Sequence, residues 1–79
     1  MGERIRISLV YKLNNMTITV PIESKVAEIV DVVRMTHNLN ANLKIELFLG
    51  ADNLDTNALV RDALRNNDTV SIKLVFTGS

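Results

Sequence analysis

The sequence predicts an α+β fold: a mixed sheet of four to five strands, one helix packed across one face, and a short helical turn before the last strand. Three observations predict it. Residues 4–10 and 17–22 alternate apolar and polar side chains, as half-buried strands do. Residues 25–37 carry apolar side chains at helical spacing. Two more alternating segments, 44–49 and 69–76, follow, with a short helical pattern between them.

The chain has 79 residues, 47% of them apolar, which is enough for one small domain. We expect that domain to span residues 1–76. Residues 77–79 are expected to be a disordered tail or a remnant of recombinant preparation.

The first two strands are predicted to form a hairpin. Ile5, Ile7 and Leu9 share one face of the first strand, and Arg4 and Arg6 lie on the other. The turn is expected at residues 12–15, because asparagine tolerates left-handed backbone conformations. Pro21 lacks an N–H group, so the second strand is expected at an edge of the sheet.

The helix is expected from Lys25 to about His37, with Ser24 as its N-cap. In the second half of the chain, Thr56 or Asn57 is expected to cap the short helical turn. The last strand is expected to bury its apolar positions, which are Val70, Ile72, Leu74 and Phe76. The centre of the core is expected at Ile7, Val20, Ile29, Leu47 and Ile72.

From residue 17 to residue 74 the chain resembles ubiquitin. The similar segments are Thr17-Ile18-Thr19-Val20, Leu47-Phe48-Leu49-Gly50-Ala51, Leu59 with Leu64, and Thr69-Val70-x-Ile72-x-Leu74. The resemblance implies a ubiquitin-like β-grasp fold. Because the matching positions are mostly core positions, they carry little information about function.

Some positions differ from those on which ubiquitin depends. A modifier of this family ends in Gly-Gly, whereas only Gly78 follows Phe76 here. Lys73 stands where the aliphatic binding patch of ubiquitin has an apolar residue, although Phe48 retains one. The expected function is therefore a non-conjugated interaction module at the N-terminus of a larger scaffold or assembly protein. The alternative is a modifier or proteasome-shuttle domain whose Gly-Gly tail is missing from this chain.

Composition disfavours several other classes of protein. The chain has no cysteine, which fits the cytoplasm or another reducing compartment. Nine basic and nine acidic residues balance, so no general affinity for nucleic acid or membranes is expected. The single histidine, His37, has no evident catalytic partner, and we expect no enzyme activity and no cofactor. Asn53, Asp55 and Asn57 have the spacing of calcium-loop ligands, but the required glycine and final acid are absent, so no metal site is expected.

The predicted binding site is the sheet face that the helix leaves open. Alternation places four basic residues and one acidic residue there. We expect this face to dock a protein partner with an acidic surface. The alternatives are a merely solvated face and weak self-association. The candidate binding residues are Arg4, Arg6, Lys44, Phe48 and Lys73.

Overall fold

The computed structural model describes residues 2–76, so the expectation for residues 77–79 lies outside the described residues. The elements are β1 Arg4–Tyr11, β2 Asn14–Pro21, α1 Val26–Thr36, β3 Leu43–Leu49, β4 Asp52–Asn53, α2 Val60–Ala63 and β5 Thr69–Phe76. Within residues 2–76, no helix has the length and apolar character needed to span a bilayer.

The five strands form one mixed sheet in the order β2-β1-β5-β3-β4. β1 pairs with β2 in antiparallel and with β5 in parallel orientation, and β5 pairs with β3 in antiparallel orientation. This is the predicted β-grasp architecture. The expectation that Pro21 marks an edge strand is confirmed, because β2 lies at one edge of the sheet. The other edge is β4, which has only two residues.

One hydrophobic core lies between the sheet and α1. Its buried members are Ile7, Leu9, Val20, Val26, Ile29, Val33, Ile45, Leu47, Val60, Leu64 and Val70. Four of the five residues expected at its centre are buried, and the fifth, Ile72, is half-buried and packs against the cluster. The alternation in β1, β3 and β5 therefore identified the covered face of the sheet correctly.

The start of α1 differs from the prediction, because Lys25 rather than Ser24 is the N-cap residue. The side chain of Glu28 accepts a hydrogen bond from the Lys25 N–H at 3.0 Å. The N–H groups of Val26 and Ala27, in the first turn, donate to main-chain carbonyls of the segment that precedes α2. Since the free N–H groups of the first turn are satisfied in this way, the helix does not need a serine cap.

The cap of α2 and the end of β5 also differ from the predictions. Leu59 is the N-cap of α2, and the main-chain carbonyl of Thr56 instead accepts the N–H of Ala27. The side chain of Phe76 is 75% exposed rather than buried. Phe76 pairs with Leu43 at the end of both strands, two positions beyond Ile45 and Leu74, the last pair that contains a buried residue.

Candidate functional site on the open face of the sheet

The open face is the side of the sheet opposite α1. Its positions in β1, β3 and β5 are Arg4, Arg6, Ser8, Val10, Lys44, Glu46, Phe48, Ser71, Lys73 and Val75. These strands meet along β5, which pairs with β1 on one side and with β3 on the other. All five candidate binding residues lie on this face, but they do not form a single cluster.

Arg4 and Arg6 form a basic pair at one end of the open face, and both are exposed. Arg6 is opposite Thr19 of β2, so its neighbour across the strands is neutral. The turn before β5 holds the main chain of Arg6 on its other side. The Arg6 N–H donates to Asn66 Oδ1 at 2.8 Å, and the Arg6 carbonyl accepts the Asn67 N–H at 2.6 Å. The main chain of Arg6 therefore lies between β2 and this turn, which fixes it with two hydrogen bonds, while the Arg6 side chain is exposed.

Lys44 and Lys73 lie towards the other end of the open face and share it with Glu46. The Lys44 Nζ atom is 3.8 Å from Glu46 Oε2, and Glu46 lies directly opposite Lys73 in the β3–β5 register. The Lys44 side chain is 62% exposed, so this ion pair has little effect on stability. It does lower the net positive charge that this end presents to a partner. The two lysines and the glutamate together carry a formal charge of +1.

The register gives the distance between the two basic ends. Ser8 pairs with Thr69 in the parallel ladder, and Arg6 lies two positions before Ser8, whereas Lys73 lies four positions after Thr69. At about 3.3 Å per residue, six positions place the Arg6 and Lys73 backbones roughly 20 Å apart. One small acidic group therefore cannot contact both ends, and a partner that uses both must present an extended acidic surface.

Phe48 lies between the two basic ends. In register it is opposite Ser71 of β5 and Asn53 of β4. Val10 pairs with Ser71 on the far side of β5, so the row that crosses the middle of the sheet contains two apolar side chains. Although Phe48 lies on the open face, its side chain is half-buried. One surface of the ring remains available to a partner.

Sequence reasoning missed two features of this site. The first is the fixing of the Arg6 main chain by Asn66 and Asn67. These two residues are sixty or more positions away from Arg6 in the chain. The second is the pairing of Lys44 with Glu46. The sequence contained a signal for the second, because residues two apart in a strand lie on the same face. It contained no local signal for the first.

Other candidate groups do not form a site in residues 2–76. His37 is the C-cap residue of α1, and its ring lies 5.4 Å from that of Tyr11. The Asp55 side chain accepts the Asn57 N–H at 2.9 Å, which is a turn contact. No group of three or more potential metal ligands occurs within the described residues.

The comparisons with known proteins concern the fold. No model of a protein family matches the sequence, and no curated protein matches it. Solved structures do match. One, described as "Molecular Mimicry of SUMO promotes DNA repair", has a TM-score of 0.80 at 19% identity, over 92% of this chain and 94% of that one.

Two further matches are named as ubiquitin or a ubiquitin-like domain. The N-terminal ubiquitin-like domain of the 4931431F19Rik protein has a TM-score of 0.83 at 14% identity, over 100% of this chain and 82% of that one. The ubiquitin of Caldiarchaeum subterraneum has a TM-score of 0.77 at 12% identity, over 89% and 91%. The chain therefore has the ubiquitin-like β-grasp fold.

Proposed function

We propose that this chain is a non-catalytic, non-conjugated ubiquitin-like module that docks an acidic protein partner through the open face. One observation carries the proposal: four basic residues and one acidic residue occupy the open face, and Phe48 lies in its middle row. A complementary charge steers a partner and sets its orientation, while a partly desolvated aromatic ring supplies affinity.

The five candidate residues contribute unequally to this docking. The arginine pair has no carboxylate opposite it in the β1–β2 register, and the backbone of Arg6 is fixed by two hydrogen bonds. Lys44 and Lys73 both lie beside Glu46, which offsets part of their charge. We therefore expect charge reversal at Arg4 and Arg6 to weaken binding more than reversal at the two lysines.

Phe48 acts as the anchor of the proposed interface. Truncation of a well-packed aromatic anchor costs about 2 kcal/mol or more of binding free energy, whereas loss of an exposed charge costs about 1 kcal/mol or less. Phe48→Ala should therefore weaken binding more than any single charge substitution on the open face.

The module is proposed to be the N-terminal domain of a larger scaffold or assembly protein in the cytoplasm. The 4931431F19Rik structure supports this arrangement, because the similar fold there is an N-terminal domain of a larger protein. The absence of cysteine is compatible with a reducing compartment.

Affinity capture from native lysate tests the docking face. The immobilised chain is compared with Arg4→Glu/Arg6→Glu on the open face. The matched control is Lys25→Glu/Arg61→Glu, which makes the same change in net charge at two exposed residues outside the open face. Proteins that the wild type and the control retain, and that the open-face variant loses, are the predicted partners.

The captured partner is then titrated against Phe48→Ala. The proposal requires a substantially weaker complex with this variant, and it requires the captured proteins to be acidic where they contact the chain. If the wild type and the open-face variant retain the same proteins, or if Phe48→Ala binds as tightly as the wild type, the open face is not the docking site.

A further inference from the structure

Helix α1 presents a second side-chain stripe, on the side that faces away from the core. Its members are Glu28, Asp31, Val32 and Met35, which are related by separations of three, four and seven residues and therefore lie on a single helix face. We call these four residues the outer stripe. Met35 is 81% exposed and Val32 is 37% exposed, and both carboxylates are exposed. The stripe thus combines two acidic and two apolar side chains.

The outer stripe and the open face lie on opposite sides of the molecule. The buried residues of α1 (Val26, Ile29 and Val33) pack on the covered face of the sheet, so the outer stripe points away from the sheet. Arg34 lies outside the outer stripe, and its Nη1 atom donates to the carbonyls of Asn40 and Leu43 at 2.9 Å. The outer stripe therefore carries a formal charge of −2, from Glu28 and Asp31, whereas the open face carries +3, from its four basic residues and Glu46.

We propose that copies of this chain associate head to tail, with the outer stripe of one copy seated on the open face of the next. The inference rests on the proposed role of the open face as a docking surface, and it names one partner for that surface. Asp31 and Glu28 would meet the arginine pair, and Met35 would meet Phe48. A methionine thioether packs favourably against an aromatic ring.

The dimensions of the two surfaces are compatible. Val10 and Phe48 both pair with Ser71, so they lie two strands apart, and Arg6 lies four positions before Val10 on the same strand. At about 3.3 Å per residue and about 4.8 Å per strand, the Arg6 and Phe48 backbones are roughly 16 Å apart. Glu28 and Met35 are seven residues apart, or about 10 Å along the helix axis. The difference is within the combined reach of arginine, glutamate and methionine side chains.

This geometry predicts the kind of assembly. The two contacting surfaces are different, so the contact is heterologous and each added copy exposes both surfaces again. The result is an open series of oligomers rather than a closed dimer. A single helix stripe covers less area than a standard stable interface, so each contact is weak. Its charge component is screened by salt, so association decreases as ionic strength rises.

Light scattering on the purified 79-residue chain tests the inference. The concentration series runs from about 10 µM to about 2 mM, a range in which contacts with a Kd near 1 mM become populated. The weight-average mass of the wild type should rise above the 8.8 kDa of one chain, without a plateau at twice that mass. The rise should be much smaller in 1 M salt.

Two variants each reverse the charge on one side of the contact. The head variant, Arg4→Gln/Arg6→Glu, changes the open face, and the tail variant, Glu28→Gln/Asp31→Lys, changes the outer stripe. Glutamine at position 28 retains an acceptor for the Lys25 N–H, so the start of the helix is preserved. Circular dichroism confirms that both variants are folded. Each variant alone should remain monomeric across the series.

Charge-swap rescue is the decisive measurement. A chain that carries all four substitutions pairs an acidic open face with a basic outer stripe, so association should return. An equimolar mixture of the head and tail variants should also associate. A wild type that stays monomeric to 2 mM, variants that associate like the wild type, or a four-substitution chain that stays monomeric would each overturn the inference. A monomeric wild type that still captures a partner through Arg4 and Arg6 would overturn this inference and leave the proposed function standing.

Discussion

Leu47→Ala should lower the free energy of unfolding by about 3–4 kcal/mol. The Leu47 side chain is 1% exposed and lies on β3 opposite Ile72 of β5. Removing three carbons at about 0.8 kcal/mol each costs about 2.4 kcal/mol in transfer free energy. A cavity adds to this cost where the surroundings cannot relax. Relaxation is limited here, because β3 pairs with β5 on one side and the Leu47 carbonyl accepts the Leu54 N–H at 2.8 Å on the other.

Urea denaturation followed by circular dichroism measures this loss. A domain of this size has a total stability of about 4–12 kcal/mol, so the expected loss is a large part of it. Leu13→Ala is the matched control, because Leu13 is fully exposed in the first hairpin turn, and it should change the stability by about 0.5 kcal/mol or less. A loss below about 1 kcal/mol for Leu47→Ala would refute the burial argument. It would mean that β3 is displaced by one residue, with Leu47 on the open face.

Three further substitutions test local features of the fold by the same unfolding measurement. Gly50→Ala should lower the free energy of unfolding by about 1 kcal/mol. Gly50 has a φ of 64°, and an added Cβ would meet no atom within 4 Å, so only backbone strain contributes. Asn66→Ala should cost about 1 kcal/mol and speed amide exchange at Arg6, whereas Asn66→Asp should retain the acceptor and most of the stability. Phe76→Ala should cost less than about 1 kcal/mol, because its ring is mostly exposed, while Val70→Ala should cost about 2 kcal/mol.

The sequence predicted the fold well because its main signal is local. The period-two pattern of β1, β3 and β5 is visible within each strand and identifies the covered face without knowledge of the partner strands. Pro21 indicated an edge strand for an equally local reason, its missing N–H group. The predicted N-cap of α1 was wrong because the start of the helix is stabilised by tertiary contacts. The carbonyls that accept the first N–H groups of the helix come from residues about thirty positions later in the chain.

The candidate site shows the same division between local and tertiary information. Alternation placed Arg4, Arg6, Lys44, Phe48 and Lys73 on one face, and the structure has all five there. It could not give their spacing across the sheet, because the parallel pairing of β1 with β5 sets how far the arginine pair lies from Lys73. Alternation also could not show that Phe48 is half-buried. It gives the direction of a side chain, but the exposed fraction depends on the neighbouring side chains.

The two proposals together predict competition, because both use Arg4 and Arg6. A partner docked on the open face would block the outer stripe of a second copy, and each docked partner would end a growing series of oligomers. By mass action, a partner that binds more tightly than the weak self-contact should dissolve the oligomers as its amount approaches one equivalent per chain. Adding the captured partner to the concentrated chain should therefore lower the mean mass towards that of a single complex. A mean mass that instead grows with each addition of partner would show that the two interactions use different surfaces.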